Sequence, residues 1–242
     1  MNCDTSVKQQ HGRSDTTRGI LKRARQLVIQ VLLVAGILFI SSGRLDWWMA
    51  WVYLGIFVVG VIVNAVILMR VNPELIAERA QGMEADTRDW DRVLASLWGV
   101  MSLVALLVAG LNMRFGWSSQ IPWGVQLVAL VFVVLGFGFA SWALISNAFF
   151  AGPVRIQEER GHTTVSEGPY RFVRHPGYVG WIVSGVALPL MLGSVWALIP
   201  AVLAAAALVI RTALEDRTLQ EELHGYTDYA QRVRYRLVPG IW

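Results

Sequence analysis

Long apolar runs separated by polar segments constrain this chain more than any other feature of its sequence. The first four are Leu27–Ile40, Trp47–Met69, Val93–Met113 and a run from Trp123 to about Phe150. A helix needs about 20 mostly apolar residues to cross the hydrocarbon of a bilayer. In addition, 16% of the residues are charged, against about 25% in soluble domains. The sequence therefore predicts an all-α integral membrane protein.

Two shorter apolar runs, Tyr178–Leu192 and Val195–Ile210, form a hairpin around Gly193-Ser194. At 1.5 Å per helical residue, the first reaches about 22 Å, which is short for a hydrocarbon core of about 30 Å. The hairpin either spans the bilayer thinly or re-enters on one side. With it, we expect about six transmembrane helices, the last two forming the short hairpin, and no Rossmann domain.

Lysine and arginine are distributed very unevenly between the predicted loops. If six helices alternate across the membrane, nineteen of the 21 basic residues fall on one side, and Arg44 and Arg114 fall on the other. Basic residues accumulate on the cytoplasmic side of membrane proteins, so both termini are predicted to be cytoplasmic. The formal net charge of +4 is then an orientation signal, aided by anionic lipid headgroups, and does not indicate nucleic-acid binding.

Polarity divides the chain into three regions. Residues 1–26 are predicted to form a basic cytoplasmic N-terminus and residues 27–150 a four-helix transmembrane region. Residues 151–242 are predicted to form the catalytic region, which contains the apolar hairpin, residues 178–210, and a polar cytoplasmic tail, residues 211–242.

The loop after the second apolar run carries a signal for the start of a short helix. Proline suits the first helical position because its missing N–H is not needed there, and asparagine is a favoured cap. We therefore expect a helix that begins at Pro73 and is capped by Asn72.

The most unusual stretch of the chain runs from Gly168 to Tyr178 and leads into the hairpin. It contains two arginines, one histidine, two tyrosines and two prolines, a mixture that a lipid-spanning scaffold does not require. Pro176 can start the following helix, which places His175 at a helix entrance near the membrane boundary. A histidine there can also be a plain interfacial residue bonded to backbone or water. We interpret the stretch as half of an active site.

The polar tail is predicted to supply the other half, because it begins with Arg211, Glu215 and Asp216. Arg211 and Glu215 can pair on one helical face, so the same residues also fit a salt-bridged helix that emerges into water. The sequence contains no P-loop, no Gly-x-Gly-x-x-Gly in a strand–helix setting, no His-Glu-x-x-His and no Gly-x-Ser-x-Gly. Cys3 is the only cysteine and the histidines lack metal-ligand spacing, so we expect neither a disulfide nor a metal site.

The order of these motifs resembles the isoprenylcysteine carboxyl methyltransferase family and the related phospholipid methyltransferases. The match covers about residues 147–242 and includes Arg174-His175-Pro176, the Glu215-Asp216 pair, and a Tyr-x-x-Tyr pair, Tyr226 and Tyr229. The resemblance implies a membrane methyltransferase that depends on S-adenosyl-L-methionine. It also implies that the cofactor binds at the cytoplasmic face without a Rossmann fold.

Carried over by motif, the resemblance identifies six cofactor contacts. They are Tyr170, His175, Pro176, Tyr178, Glu215 and Asp216. Aromatic faces and carboxylates favour a cationic sulfonium and an amino group. The candidate catalytic residues are Arg174, Arg211 and Glu215, with the arginines orienting an acceptor carboxylate or phosphate. The family commonly has two glutamates where this chain has Glu215-Asp216, so the chain departs from the family pattern in the shorter side chain of Asp216.

The methyl acceptor is left open. A lipophilic acceptor with an isoprenylcysteine-type carboxylate is favoured, and a phospholipid amine or a small thiol is the alternative. Two other classes are an NADPH-dependent membrane reductase and a non-enzymatic transporter or scaffold. Transport is disfavoured because the spans carry almost no ionisable residues. We expect a multi-pass protein of the bacterial inner membrane that contacts lipid and has its active site at the cytoplasmic face; its oligomeric state is not predicted.

Overall fold

Helices are the only regular secondary structure in the part of the chain that the computed structural model describes, residues 3–81 and 87–242, with side chains described for 17–81 and 87–242. This confirms the predicted all-α class. Cys3 and much of the basic N-terminus, residues 1–26, have side chains outside the described residues. The eight α-helices are α1 Cys3–Ser42, α2 Trp48–Val71, α3 Pro73–Gln81, α4 Asp89–Phe115, α5 Trp123–Ser146, α6 Pro176–Met191, α7 Leu198–Glu222 and α8 Tyr226–Arg232.

Five of these helices are long and apolar enough to cross a membrane: α1 over Thr17–Ser42, α2, α4, α5 and α7. The first arm of the predicted hairpin, α6, has only 16 residues and spans about 24 Å. The described residues therefore contain five candidate spans, and a sixth crossing by the shorter α6 stays a prediction. The second arm continues past Ile210 to Glu222, as expected for a polar tail that begins as a helical continuation. The polar residues Arg211 and Asp216 of this continuation find partners inside the protein.

Two predicted helix starts are confirmed. Helix α3 begins at Pro73, and the Oδ1 atom of Asn72 accepts a hydrogen bond from the Leu75 N–H at 3.1 Å. Helix α6 begins at Pro176, directly after His175. By contrast, α5 ends at Ser146 rather than near Phe150, and a long irregular connection with two short 3-10 turns, Glu158–Arg160 and Gly168–Arg171, follows it.

Helix α6 packs against α5 through direct backbone contact. A Cβ atom added at Gly136 would lie 2.7 Å from the Gly180 carbonyl oxygen, and one added at Gly180 would lie 2.5 Å from the Gly136 carbonyl oxygen. Glycines thus allow an approach that no side chain permits, as small residues do in many transmembrane helix pairs. This contact fixes the position of α6, which follows His175 directly and carries Tyr178 in its first turn.

Replacing Gly136 with valine should force α5 and α6 apart, whereas valine at Gly138 of the same helix has open space. Overpacking of a tight contact costs about 1–3 kcal/mol. We expect Gly136→Val to lower the melting temperature of the detergent-purified protein clearly and Gly138→Val to change it little. Equal losses for the two variants would contradict this description of the helix contact.

Candidate active site

A cavity of about 430 Å³, called here the polar cavity, lies where α6, α7, α8 and the connection after α5 meet. Six of the eight sequence-predicted site residues line it: Tyr170, Arg174, His175, Tyr178, Arg211 and Glu215. Pro176 forms the first turn of α6, and Asp216 lies behind the cavity wall. The motif stretch and the start of the tail are therefore neighbours in the fold, although Tyr178 and Glu215 lie 37 residues apart in sequence.

Glu215 presents a carboxylate to this cavity. Its Oε2 atom accepts a hydrogen bond from the Tyr178 hydroxyl, and its Oε1 atom lies 3.9 Å from Nδ1 of His175. The side chain is 22% exposed, whereas that of Asp216 is fully buried. The His175 and Tyr178 rings stack at 5.8 Å with 15° between their planes. Together they form a wall with one carboxylate and two aromatic faces.

Asp216 is the anionic centre of a buried network. Its carboxylate accepts two hydrogen bonds from Arg174, at 2.6 and 3.0 Å, and lies 3.3 Å from Nε2 of His175. Three further side chains donate to it: Arg236 at 2.8 Å, Tyr226 at 3.0 Å and Gln220 at 2.8 Å. All of these contacts are with protein groups. They join the start of α6 to α7, α8 and the tail.

Arg174 is largely committed to the same network. Its Nη1 atom donates to the carbonyl oxygens of Val233 and Arg234 at 2.8 and 2.9 Å, and its side chain is 6% exposed. The guanidinium thus closes the end of α8 while it pairs with Asp216. Its observed contacts make Arg174 a buried structural residue of the cavity wall. Its role in orienting an acceptor stays a prediction.

Arg211 is held differently from the sequence expectation. The pairing considered with Glu215 is absent from the hydrogen bonds and ion pairs of the described residues. Instead, Nε donates to Asp91 at 2.6 Å and Nη2 to the Gly152 carbonyl at 2.7 Å. Asp91 is fully buried, and its other oxygen accepts the Val154 N–H at 2.8 Å. Local spacing missed Asp91 because it lies 120 residues away in sequence.

Two tyrosines of the tail, Tyr226 and Tyr229, belong to the core of the site, whereas Tyr235 is exposed. Tyr226 is 4% exposed and Tyr229 1%, and the Tyr229 hydroxyl donates to the Tyr170 carbonyl at 2.7 Å. Burial raises the pKa of the Tyr170, Tyr226 and Tyr229 phenols above the ordinary range. They therefore remain protonated hydrogen-bond donors.

His162 forms part of the opposite wall. Its ring stacks on Phe149 at a centroid distance of 4.4 Å, and its Nδ1 atom accepts the Gln157 N–H at 3.3 Å. Burial, reinforced by the positive charge of Arg160, lowers the pKa of His162 to about 4. The ring is therefore neutral near pH 7.

The donor set suits an organic cation rather than a metal. The described residues contain no group of three or more His, Cys, Asp or Glu side chains placed to hold a metal ion. The wall instead offers stacked aromatic faces and a partly exposed carboxylate, which attract a cation and an amino group.

The fold and the cavity define a helical membrane protein with a polar, aromatic-lined site at one end of its helices. A model of the isoprenylcysteine carboxyl methyltransferase (ICMT) family matches residues 128–221. The protein-S-isoprenylcysteine O-methyltransferase B of Arabidopsis thaliana is 30% identical over 148 residues, which cover 58% of this chain and 70% of that protein. The chain belongs to the ICMT family.

A second plant protein and a solved structure are also similar to this chain. The probable protein-S-isoprenylcysteine O-methyltransferase of Oryza sativa subsp. indica is 31% identical over 119 residues, so the match covers 46% of this chain and 60% of that protein. A solved structure of the eukaryotic intramembrane Ras methyltransferase ICMT has a TM-score of 0.52 at 19% identity, over 90% of this chain and 75% of that one. At this identity the likeness shows a common fold.

Replacing Asp216 with asparagine should leave the buried guanidinium of Arg174 without its anion. Removing one partner of a buried ion pair costs about 3–5 kcal/mol. We expect Asp216→Asn to lower the unfolding free energy by an amount of this order, measured by denaturant unfolding in detergent. Asp228→Asn, at an exposed position of α8, is the matched control. An Asp216→Asn variant as stable as the control would contradict the network's structural role.

The low pKa of His162 predicts a loss of stability in acid. Between pH 6.5 and 4 the unfolded chain binds a proton at this position while the folded chain does not, so acidification favours unfolding. The difference at pH 5 amounts to about 2 kcal/mol. His162→Gln keeps a hydrogen-bond acceptor but does not titrate. Its melting temperature should fall less than that of the wild type between pH 7.5 and pH 5; parallel decreases would refute the assignment.

Proposed function

We propose that this chain is an S-adenosyl-L-methionine-dependent membrane methyltransferase that acts on a lipophilic acceptor. The observation that carries the proposal is the cavity wall of Glu215, Tyr178 and His175, in which a partly exposed carboxylate is flanked by two aromatic faces. Such a wall favours the positive sulfonium and the amino group of this cofactor. Membership in the ICMT family supports the same reaction class.

In this proposal Glu215, Tyr178, His175 and Tyr170 contact the cofactor, which supplies an activated methyl group when bound. Pro176 fixes the helix start that presents His175 and Tyr178 to the cavity. Asp216 acts from behind, since it lies 3.3 Å from the second ring nitrogen of His175. We retain Asp216 as a cofactor residue only in this indirect sense.

In this proposal Arg211 orients the acceptor. Its Nη1 atom makes no hydrogen bond in the described part of the chain, and the residue lines the cavity. Asp91 and the Gly152 carbonyl fix the rest of its guanidinium. Methyl transfer is an in-line displacement whose main demand is alignment of donor and acceptor, and a carboxylate acceptor needs no proton removed. A rigidly held guanidinium can align the acceptor with the methyl donor.

A second cavity supports the lipophilic character of the acceptor. This apolar chamber, of about 730 Å³, is lined by residues of α1 to α6, and it shares Trp98 and Trp181 with the polar cavity. Its walls are mostly aliphatic and aromatic, as a prenyl or acyl chain requires. The matched plant proteins are named for isoprenylcysteine O-methylation, so an isoprenylcysteine-type carboxylate is our preferred acceptor.

We further propose that α6 completes a sixth, thin crossing and that both termini and the polar cavity face the cytoplasm. The uneven distribution of basic residues, with nineteen of 21 on one side, supports this orientation. In this arrangement residues 1–26 are a cytoplasmic segment, residues 27–150 a four-helix membrane region and residues 151–242 the catalytic region. The bacterial inner membrane is the proposed location.

Isothermal calorimetry on the detergent-purified protein tests the proposal. The wild type should bind S-adenosyl-L-methionine, and Glu215→Gln should weaken this binding about tenfold or more, because a hydrogen bond to a charged group contributes about 1.5–3 kcal/mol. Glu221→Gln, an exposed glutamate on the same helix, is the control and should bind normally. A wild type that binds NADPH and not the methyl donor would overturn the proposal in favour of a reductase.

A further inference from the structure

Two arginines stand at the junction of the two cavities. Arg23 of α1 and Arg79 of α3 line both the polar cavity and the apolar chamber. Both side chains are half-buried. Neither residue belongs to the motifs of the predicted site, and both lie outside the segment matched by the family model, residues 128–221.

The other cationic residues of the polar cavity each have an anionic partner. Arg174 pairs with Asp216, Arg211 with Asp91, and Arg155 with Glu78 at 2.6 Å. Within residues 17–81 and 87–242, no carboxylate lies within ion-pair distance of Arg23 or Arg79. A half-buried guanidinium without a counter-ion is unfavourable unless a ligand completes it.

Neutral groups hold the two side chains in place. Nη1 of Arg79 donates to the Phe150 carbonyl at 2.9 Å, and its guanidinium lies 5.6 Å from the centre of the Phe150 ring. Nη1 of Arg23 donates to the Gln26 side chain at 3.3 Å, and Gln26 in turn donates to the Ala80 carbonyl at 3.1 Å. The arginines are thus positioned by contacts that leave several N–H groups available.

Close helix packing brings the two charges together. A Cβ atom added at Gly19 would lie only 2.6 Å from the Cβ atom of Ala77, so α1 crosses α3 one turn before Arg23 and two residues before Arg79. Burial and the nearby charge of Arg23 lower the pKa of Arg79 to about 10. Arg79 therefore stays protonated at pH 7, and the pair retains two positive charges.

The face of α1 below this pair is apolar apart from one glutamine. Leu27, Gln30 and Val34 follow Arg23 at offsets of four, seven and eleven residues and all line the chamber. These offsets share one helical face, and the eleven residues extend about 16 Å. This face of α1 therefore has a positive charge at one end, at Arg23, and continues as a mostly apolar wall of the chamber.

We propose that Arg23 and Arg79 bind the anionic group, a carboxylate or a phosphate, of an amphipathic acceptor whose chain lies in the apolar chamber. The inference rests on the proposed function and names the acceptor as an anionic lipid. The position of the pair at the mouth of the chamber favours the acceptor over the carboxylate of the cofactor. Arginine suits both anions because its fork donates two parallel hydrogen bonds.

Calorimetric binding of three prenyl compounds to the detergent-purified protein tests this assignment. The probes are N-acetyl-S-farnesyl-L-cysteine, its neutral carboxamide, and farnesyl phosphate. The variants are Arg23→Gln and Arg79→Gln, and Arg25→Gln, at an exposed position of α1, is the control. The wild type and the control should bind at least one anion about tenfold more tightly than the carboxamide. The preferred anion identifies the headgroup chemistry.

Each of the two variants should lose this preference, while the carboxamide affinity and the affinity for S-adenosyl-L-methionine stay unchanged. Equal wild-type affinity for the anions and the carboxamide would overturn the inference, as would variants that weaken cofactor binding instead. A wild type that discriminates the anions through Arg23 and Arg79 but does not bind the cofactor would support this site and refute the proposed function. The experiment therefore distinguishes a failure of anion binding by Arg23 and Arg79 from a failure of the proposed methyltransferase function.

Discussion

The buried carboxylate of Asp216 is the interaction on which the described site depends most. A charge this deep is stable only when it is paired and fully hydrogen-bonded, and Asp216 has two arginines, a tyrosine and a glutamine as donors. Those donors come from the entrance to α6, from α7, from α8 and from the tail. One anion thus specifies how four separate segments assemble around the polar cavity.

Two adjacent carboxylates on α7, Glu215 and Asp216, have different surroundings and different roles. Asp216 faces inward and is saturated by protein groups, whereas Glu215 faces the cavity with one oxygen on Tyr178 and the other 3.9 Å from His175. The backbone contact between Gly136 and Gly180 holds α6, and with it His175 and Tyr178, at the required distance from α7. Structural and ligand-directed carboxylates are therefore neighbours in sequence but face different surroundings.

Much of this architecture follows from sequence because the lipid environment imposes long apolar runs and because caps act locally. The all-α class, the helix starts at Pro73 and Pro176, and the two halves of the site at residues 168–178 and 211–216 all rest on such local rules. Resemblance to a family, rather than spacing, gave the individual cofactor residues. Those assignments stay predictions.

Sequence reasoning failed where the partner of a residue lies on a distant helix. Periodicity identifies the face that Arg211 occupies, but not that Asp91 of α4 lies opposite it. The sequence predicts that the polar tail begins as a helix, but not that Arg211 and Asp216 on this helix are satisfied by the fold rather than by water. Arg23 and Arg79 appeared in the sequence as orientation charges, and only their place between two cavities distinguishes them from the other basic residues.

The most direct test of the account is a methyl-transfer assay with a deuterium-labelled methyl donor, S-adenosyl-L-[methyl-D3]methionine. The protein, reconstituted in liposomes, is given lipophilic carboxylate, amine and thiol acceptors together, and the products are identified by mass spectrometry. We expect a labelled methyl group on an anionic lipophilic acceptor, with N-acetyl-S-farnesyl-L-cysteine as the preferred substrate. Absence of label from every acceptor, with the protein folded, would contradict it.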